Sequence, residues 1–293
     1  MKKLGIVFLI SFVWSLFLAW LRGGYISILT LTGLPLSSFI GFIVYGLMTT
    51  LALEKYRNTT FSGYIVLLVW LGASILELPF RIIHFGDAMI SFLNLLIWWL
   101  GIGVGYFFFK VRKITHKIIF VGLSLICALW ISTSGYSMWT HKLNYGTING
   151  RAYQECKSEI KMQNYSGEYI SLNELDKAYL LLDMWYTSCR VCYEQFPKLQ
   201  EMYEKYKDED RVGIYAVHCR TEYEKYNIGY VILSTRSYEF PSLSLDNNDE
   251  IIEEWGILRF PMVFILDKQR NIIYKGDLAQ AESYLARLLD KLS

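Results

Sequence analysis

Acidic residues are scarce in the first half of this chain. Up to residue 140 only Glu54, Glu77 and Asp87 carry negative charge, against ten Lys/Arg, which leaves twenty-four of the chain's 27 acids and nineteen of its 29 bases for the rest. The two parts carry about +7 and −5, so the small net charge of +2 hides a strong asymmetry. The bases of the first part lie between apolar runs, and no basic patch interleaved with aromatics occurs, so a nucleic-acid partner is not expected. Internal repeats and low-complexity tracts are absent, which excludes solenoids and arrays. With four histidines, five cysteines, no second CxxC and no HxxxH spacing, a closed zinc site lacks its second ligand pair.

Apolar residues are what the chain has in excess, at 53% of 293 residues and a mean hydropathy of +0.26. That is too apolar for an ordinary soluble protein, and a bilayer needs about 20 apolar residues per crossing helix. Uncharged runs of that length occur at 4–21, 35–53, 58–76, 88–109 and 118–136. The first, after Met1-Lys2-Lys3, lacks a small-x-small cleavage site and reads as a retained span. A multi-span domain of about five transmembrane helices is therefore expected over 1–136. The composition then turns polar, which predicts a linker and approach strand at 137–165 and an α/β domain at 166–293.

The basic residues set orientation. They concentrate in Met1-Lys2-Lys3, Glu54-Lys55-Tyr56-Arg57 and the 110–117 loop, while the alternate loops hold only Arg22 and Arg81. By the positive-inside rule the N-terminus is cytoplasmic, and five spans leave the second domain outside, at a bacterial inner membrane. Glu77, Arg81 and His84 sit at a span boundary and read as an interfacial pair and its neighbour, exposed to headgroups. Cys127 is the single cysteine of this part. It reads as a small core residue, and a lone thiol excludes relay of electrons across the membrane by disulfide exchange.

The chemistry points to Leu180-Leu181-Leu182-Asp183-Met184-Trp185-Tyr186-Thr187-Ser188-Cys189-Arg190-Val191-Cys192, a buried strand, a turn and a helix start. At a helix N-terminus, free N–H groups and the dipole favour thiolate over thiol, so Cys189 is the expected nucleophile. Cys192, nearly one turn on, can close a disulfide with it and is the expected resolving thiol. Arg190 adds a cation beside the nucleophile. Farther on the pattern predicts a helix over 193–207, strands at 212–217 and 242–245, helices at 222–232 and 249–255, a hairpin at 262–266 and 272–274, and a terminal helix over 279–292. Cys219, beside His218 at a strand end, is a second redox candidate or a buried small residue, and its pairing with Cys156 stays open.

The strand, Trp185, the CxxC, and Pro197 five residues after it resemble the thioredoxin fold. The segment Trp255-Gly256-Ile257-Leu258-Arg259-Phe260-Pro261-Met262-Val263-Phe264 resembles that family's second signature, and the lead-in Ile170-Ser171-Leu172-Asn173-Glu174-Leu175 is most similar to membrane-anchored oxidoreductases of the TlpA/ResA type. The resemblance covers about residues 150–293. It implies a thioredoxin-like domain that exchanges electrons with protein thiols or disulfides through Cys189 and Cys192, with an unidentified redox partner and with no cofactor or metal beyond that disulfide. It further implies Asp183, six residues before Cys189, as a buried acid that handles the second thiol's proton. Pro261 is implied as a cis proline facing the disulfide, and Trp185, Phe260 and Pro261 as the substrate-meeting surface. The rival classes are a non-catalytic partner-binding module and a Sco-like metal carrier, although that family uses a CxxxC spacing and a distant His.

The orientation is testable directly. A reporter active only outside the cytoplasm, fused after Ser293, is expected to be active, and activity of a cytoplasm-only reporter would contradict the topology.

Overall fold

The computed structural model describes residues 2–28, 31–58, 60–156, 160–246, 250–257 and 259–290, which form two compact units, Met1–Thr140 and His141–Ser293. The first is helical: α1 (Lys2–Leu21), a short hairpin of β1 (Ser27–Ile28) and β2 (Leu31–Thr32), α2 (Gly33–Lys55), α3 (Ser62–Ser74), α4 (Glu77–Ile83), α5 (Phe85–Lys110) and α6 (Ile114–Trp130). A π turn (Ile131–Gly135) leads from α6 into α7 (Tyr136–Tyr145). Among the described residues four helices are long and apolar enough to cross a membrane, or up to five when α3 and α4, bent by 53°, are taken as one span. Small residues let two of them meet backbone to backbone: a Cβ on Gly105 of α5 would lie 2.3 Å from the Gly46 carbonyl oxygen of α2.

Three expectations change here. Residues 137–145 are helical and not linker, and the helix closes where Gly146, at φ 75°, returns its N–H to the Lys142 carbonyl. Cys127 is exposed on α6 and not in a core. Arg81 is not exposed to headgroups: it is 2% accessible and paired with Glu77, which also binds Arg22 at 2.8 Å. Sequence spacing pairs Glu77 with Arg81, but the third member lies 55 residues upstream.

The second unit is built on an eight-stranded mixed sheet. Its elements are β3 (Arg151–Gln154), β4 (Lys161–Gln163), β5 (Tyr169–Ser171), β6 (Tyr179–Trp185), α8 (Arg190–Tyr206), β7 (Val212–Arg220), α9 (Ile228–Thr235), β8 (Ser242–Asp246), α10 (Glu250–Glu254), β9 (Met262–Leu266), β10 (Ile272–Gly276) and α11 (Leu278–Asp290). The order across the sheet is β3-β10-β9-β6-β7-β8-β4-β5, with β6, β7 and β8 parallel and β9 antiparallel to β6. This is a thioredoxin-like architecture.

β6 is central and buried on both faces, which explains its unbroken apolar run. Leu181 and Trp185 pack on one face beneath α8 and α11, while Leu180, Leu182 and Met184 pack on the other with Ile251 and Trp255. Asp183, by the alternation of strand side chains, shares the α8 face. The helix expected at 222–232 begins only at Ile228, and residues 221–224 form a turn in which the Thr221 N–H donates to the Glu224 carboxylate.

Candidate active site

The site forms where β6 ends and α8 begins. Cys189 is the N-cap of α8, and Cys189 and Cys192 form a disulfide with Cα atoms 5.3 Å apart. The Cys192 backbone N–H donates to Cys189 Sγ at 3.1 Å, so one of the helix's free N–H groups is already aimed at the first sulfur. Cys189 keeps 5% of its surface and Cys192 none. The outer sulfur therefore sits where a thiolate is stabilised and can be reached, and the inner one is sealed. Arg190 contributes less than its position suggests, since its side chain is 91% exposed and pairs with Glu194 at 2.9 Å.

One turn after Cys192, the side chain of Gln195 reaches back to β6, where its Nε2 donates to Asp183 Oδ1 at 3.0 Å. Asp183 has no exposed surface and its Oδ2 has no hydrogen-bond partner. Burial pushes its carboxyl up to about 7, against the lowering effect of the Gln195 bond. An acid so placed can hold or release a proton near neutral pH behind the CxxC helix.

β9 opens beside the same strand end, with Met262 opposite Met184, and the Phe260–Pro261 peptide bond is cis. Phe260 meets Tyr186 edge to face at 5.0 Å, and both rings are half-buried. Trp185 departs from its expected place on the substrate surface. It is wholly buried against Phe196, Tyr193 and His218, because it lies on the inward face of a central strand. The aromatic that keeps part of its surface is its neighbour Tyr186.

A polar group beside this core has no motif in the sequence. Glu224 accepts the Thr187 hydroxyl and the Thr221 N–H, while Tyr193 donates to the Thr187 carbonyl at 2.9 Å, which fixes Thr187 from two sides. His218 lies behind, its Nε2 3.7 Å from Glu224, and burial lowers it to about 4, so it is neutral at physiological pH. Cys219 faces the opposite side of the sheet, among the residues around Met184 and Trp255, and is not part of this site. Burial raises its thiol, and that of Cys156 to about 11; neither is in a disulfide. Among the described residues, no three His, Cys, Asp or Glu side chains are grouped so as to hold a metal ion.

Comparison with known proteins falls on this unit. Residues 154–275 match the model of the AhpC/TSA family. The thiol-disulfide oxidoreductase ResA of Bacillus thuringiensis subsp. konkukian is 27% identical over 128 residues, which span 43% of this chain and 70% of that protein. The thioredoxin-like protein YneN of Bacillus subtilis is 24% identical over 157 residues, covering 53% of this chain and 90% of its own. The thioredoxin domain of a thiol-disulfide oxidoreductase from Bacteroides vulgatus superposes over 47% of this chain and 97% of its own, with a TM-score of 0.40 and 23% identity.

Asp183 makes stability depend on pH in a definite direction. With a folded value near 7 and an unfolded value near about 3.9, the native state binds the extra proton between them, so stability falls as pH rises from about 4 to about 7. Asp183→Asn is expected to flatten that decline in the oxidised protein, matching the parent near pH 4 and exceeding its thermal midpoint above pH 7. Parallel midpoint curves would show that the carboxyl titrates normally.

Proposed function

We propose, from a C-terminal half that is a TlpA/ResA-like thioredoxin-fold domain and a thiol-disulfide oxidoreductase, that this chain is anchored in the inner membrane and acts on protein thiols outside the cytoplasm. The observation that carries the reading is the graded placement of the two sulfurs, with the outer one accepting the Cys192 N–H in the first turn of α8 and the inner one without exposed surface. Asp183, buried on β6 and bonded to Gln195 of the same helix, supports it. Anchoring is supported by the four or five apolar helices and by the distribution of bases around them.

In the reducing direction the Cys189 thiolate attacks one sulfur of a substrate disulfide and the other leaves as a thiolate, which gives a mixed disulfide. Cys192 then loses its proton to Asp183 and attacks Cys189 Sγ, which closes the Cys189–Cys192 disulfide and expels the substrate's second thiolate. Run backwards, the same steps oxidise a substrate dithiol and leave Cys189 and Cys192 reduced. The direction in the cell is set by the potential of the redox partner. Phe260, Pro261 and Tyr186 form the rim that an extended substrate chain meets, while Trp185 supports the loop from below.

Separate variants divide the roles. Cys192→Ser is expected to accumulate mixed disulfides at Cys189, and Cys189→Ser to form none. Asp183→Asn is expected to slow release of the mixed disulfide about a hundredfold near neutral pH, the low end of general acid–base contributions. Trapping by Cys192 instead of Cys189 would invert the assignment, and metal bound stoichiometrically and lost in either cysteine variant would favour the carrier class.

A further inference from the structure

The first unit holds a buried cluster of charge that disulfide exchange does not use. Glu77 Oε2 binds Arg22 Nη1 at 2.8 Å and also Arg81 Nη1, one helical turn away. Arg81 donates further to the Glu77 carbonyl at 3.0 Å and to the Ser91 carbonyl at 3.3 Å. Two guanidinium groups and one carboxylate leave one positive charge over within this group. Such a charge in a helix bundle of membrane-spanning length is costly to keep, and marks a site more often than a strut.

The unpartnered atoms describe what the cluster lacks. Arg22 Nε and Nη2, Arg81 Nε, the Tyr136 hydroxyl and the Ser132 hydroxyl are all buried and without a hydrogen-bond partner. Nε and Nη2 are the two prongs of one guanidinium edge, the geometry that takes two oxygens of a phosphate at once. That edge is fixed in direction, because the guanidinium lies over the Trp98 ring at 4.9 Å and the Trp98 indole is held by the Ser37 carbonyl at 3.1 Å. Tyr136 neighbours the Ser38 side chain and the Asn94 backbone and lies within the field of both arginines, and Ser132 is on the π turn that precedes it. Asn94 spends its Nδ2 on the Ser37 and Ser38 hydroxyls and leaves Oδ1 as a spare acceptor, suited to a hydroxyl on the ligand.

We propose that this cluster is a binding site for one singly charged phosphate, gripped by the Arg22 edge with the Tyr136 hydroxyl as a further donor. A single negative charge neutralises the cluster, and its oxygens supply the acceptors that the buried donors lack. Two sources share this chemistry, the phosphodiester of an anionic phospholipid and free inorganic phosphate.

The test uses the full-length protein, delipidated in a neutral maltoside detergent and titrated with phosphatidylglycerol or with inorganic phosphate while the thermal midpoint is followed. A saturable rise with a stoichiometry of one per chain supports the site, phosphatidylglycerol alone identifying a lipid and inorganic phosphate a soluble ligand. Arg22→Gln is expected to abolish the rise. Arg22→Lys, which keeps a cation beside Glu77 and removes the fork, is expected to fold as the parent does and to weaken binding about tenfold or more. No saturable rise with either probe, or a rise of equal affinity in Arg22→Lys, would overturn the proposal.

Discussion

One short contact organises the second unit: the N–H of Cys192 pointing at the sulfur of Cys189 in the first turn of α8. It exists because the chain leaves a fully buried strand, turns within four residues and starts a helix at a cysteine instead of at the usual Ser, Thr, Asp or Asn. A cysteine in that position does the work of a cap while its sulfur stays reactive. The surroundings hold the turn in place: Thr187 is tied to Glu224 and Tyr193, and Trp185 fills the space below against Phe196. The burial of β6 on both faces then fixes the direction in which the loop emerges.

The same strand determines the acid. Strand alternation places Asp183 on the α8 face with Leu181 and Trp185, and the position costs it solvent on every side. Desolvation therefore dominates its behaviour, and the Gln195 bond answers only one of its two oxygens. A carboxyl in an exposed position would remain ionised and accept no proton near neutrality, so the helix packing that hides Asp183 is also what makes it a proton acceptor of matched strength.

Much of this was legible in the residues. The apolar run, the CxxC and the Phe260-Pro261 pair identified β6, the start of α8 and the start of β9 within a few residues, because each rests on local chemistry. The misplacements share a cause as well. Trp185 is expected to meet substrate from the resemblance, though alternation alone assigns it to the buried face of Leu181. Gln195 could have been found as the residue one turn beyond Cys192. The Glu224 turn, the neutral His218 and the Arg22–Glu77–Arg81 group depend on contacts between residues far apart in the chain, which no local spacing encodes. The helical extension through 137–145 was hidden by polar composition, since Lys142 and Asn144 are compatible with a solvated helix end as well as with a loop.

The central claim is that the fold, and not the adjacent Arg190, makes Cys189 the reactive thiol. Reduced protein alkylated briefly across a pH series, with the modified cysteine identified by mass spectrometry, tests this most directly. The account predicts that Cys189 reacts first, with a midpoint well below the ordinary thiol value of about 8.5 that persists in Arg190→Ala. Preferential alkylation of Cys192, or a Cys189 midpoint at or above that ordinary value, would contradict it.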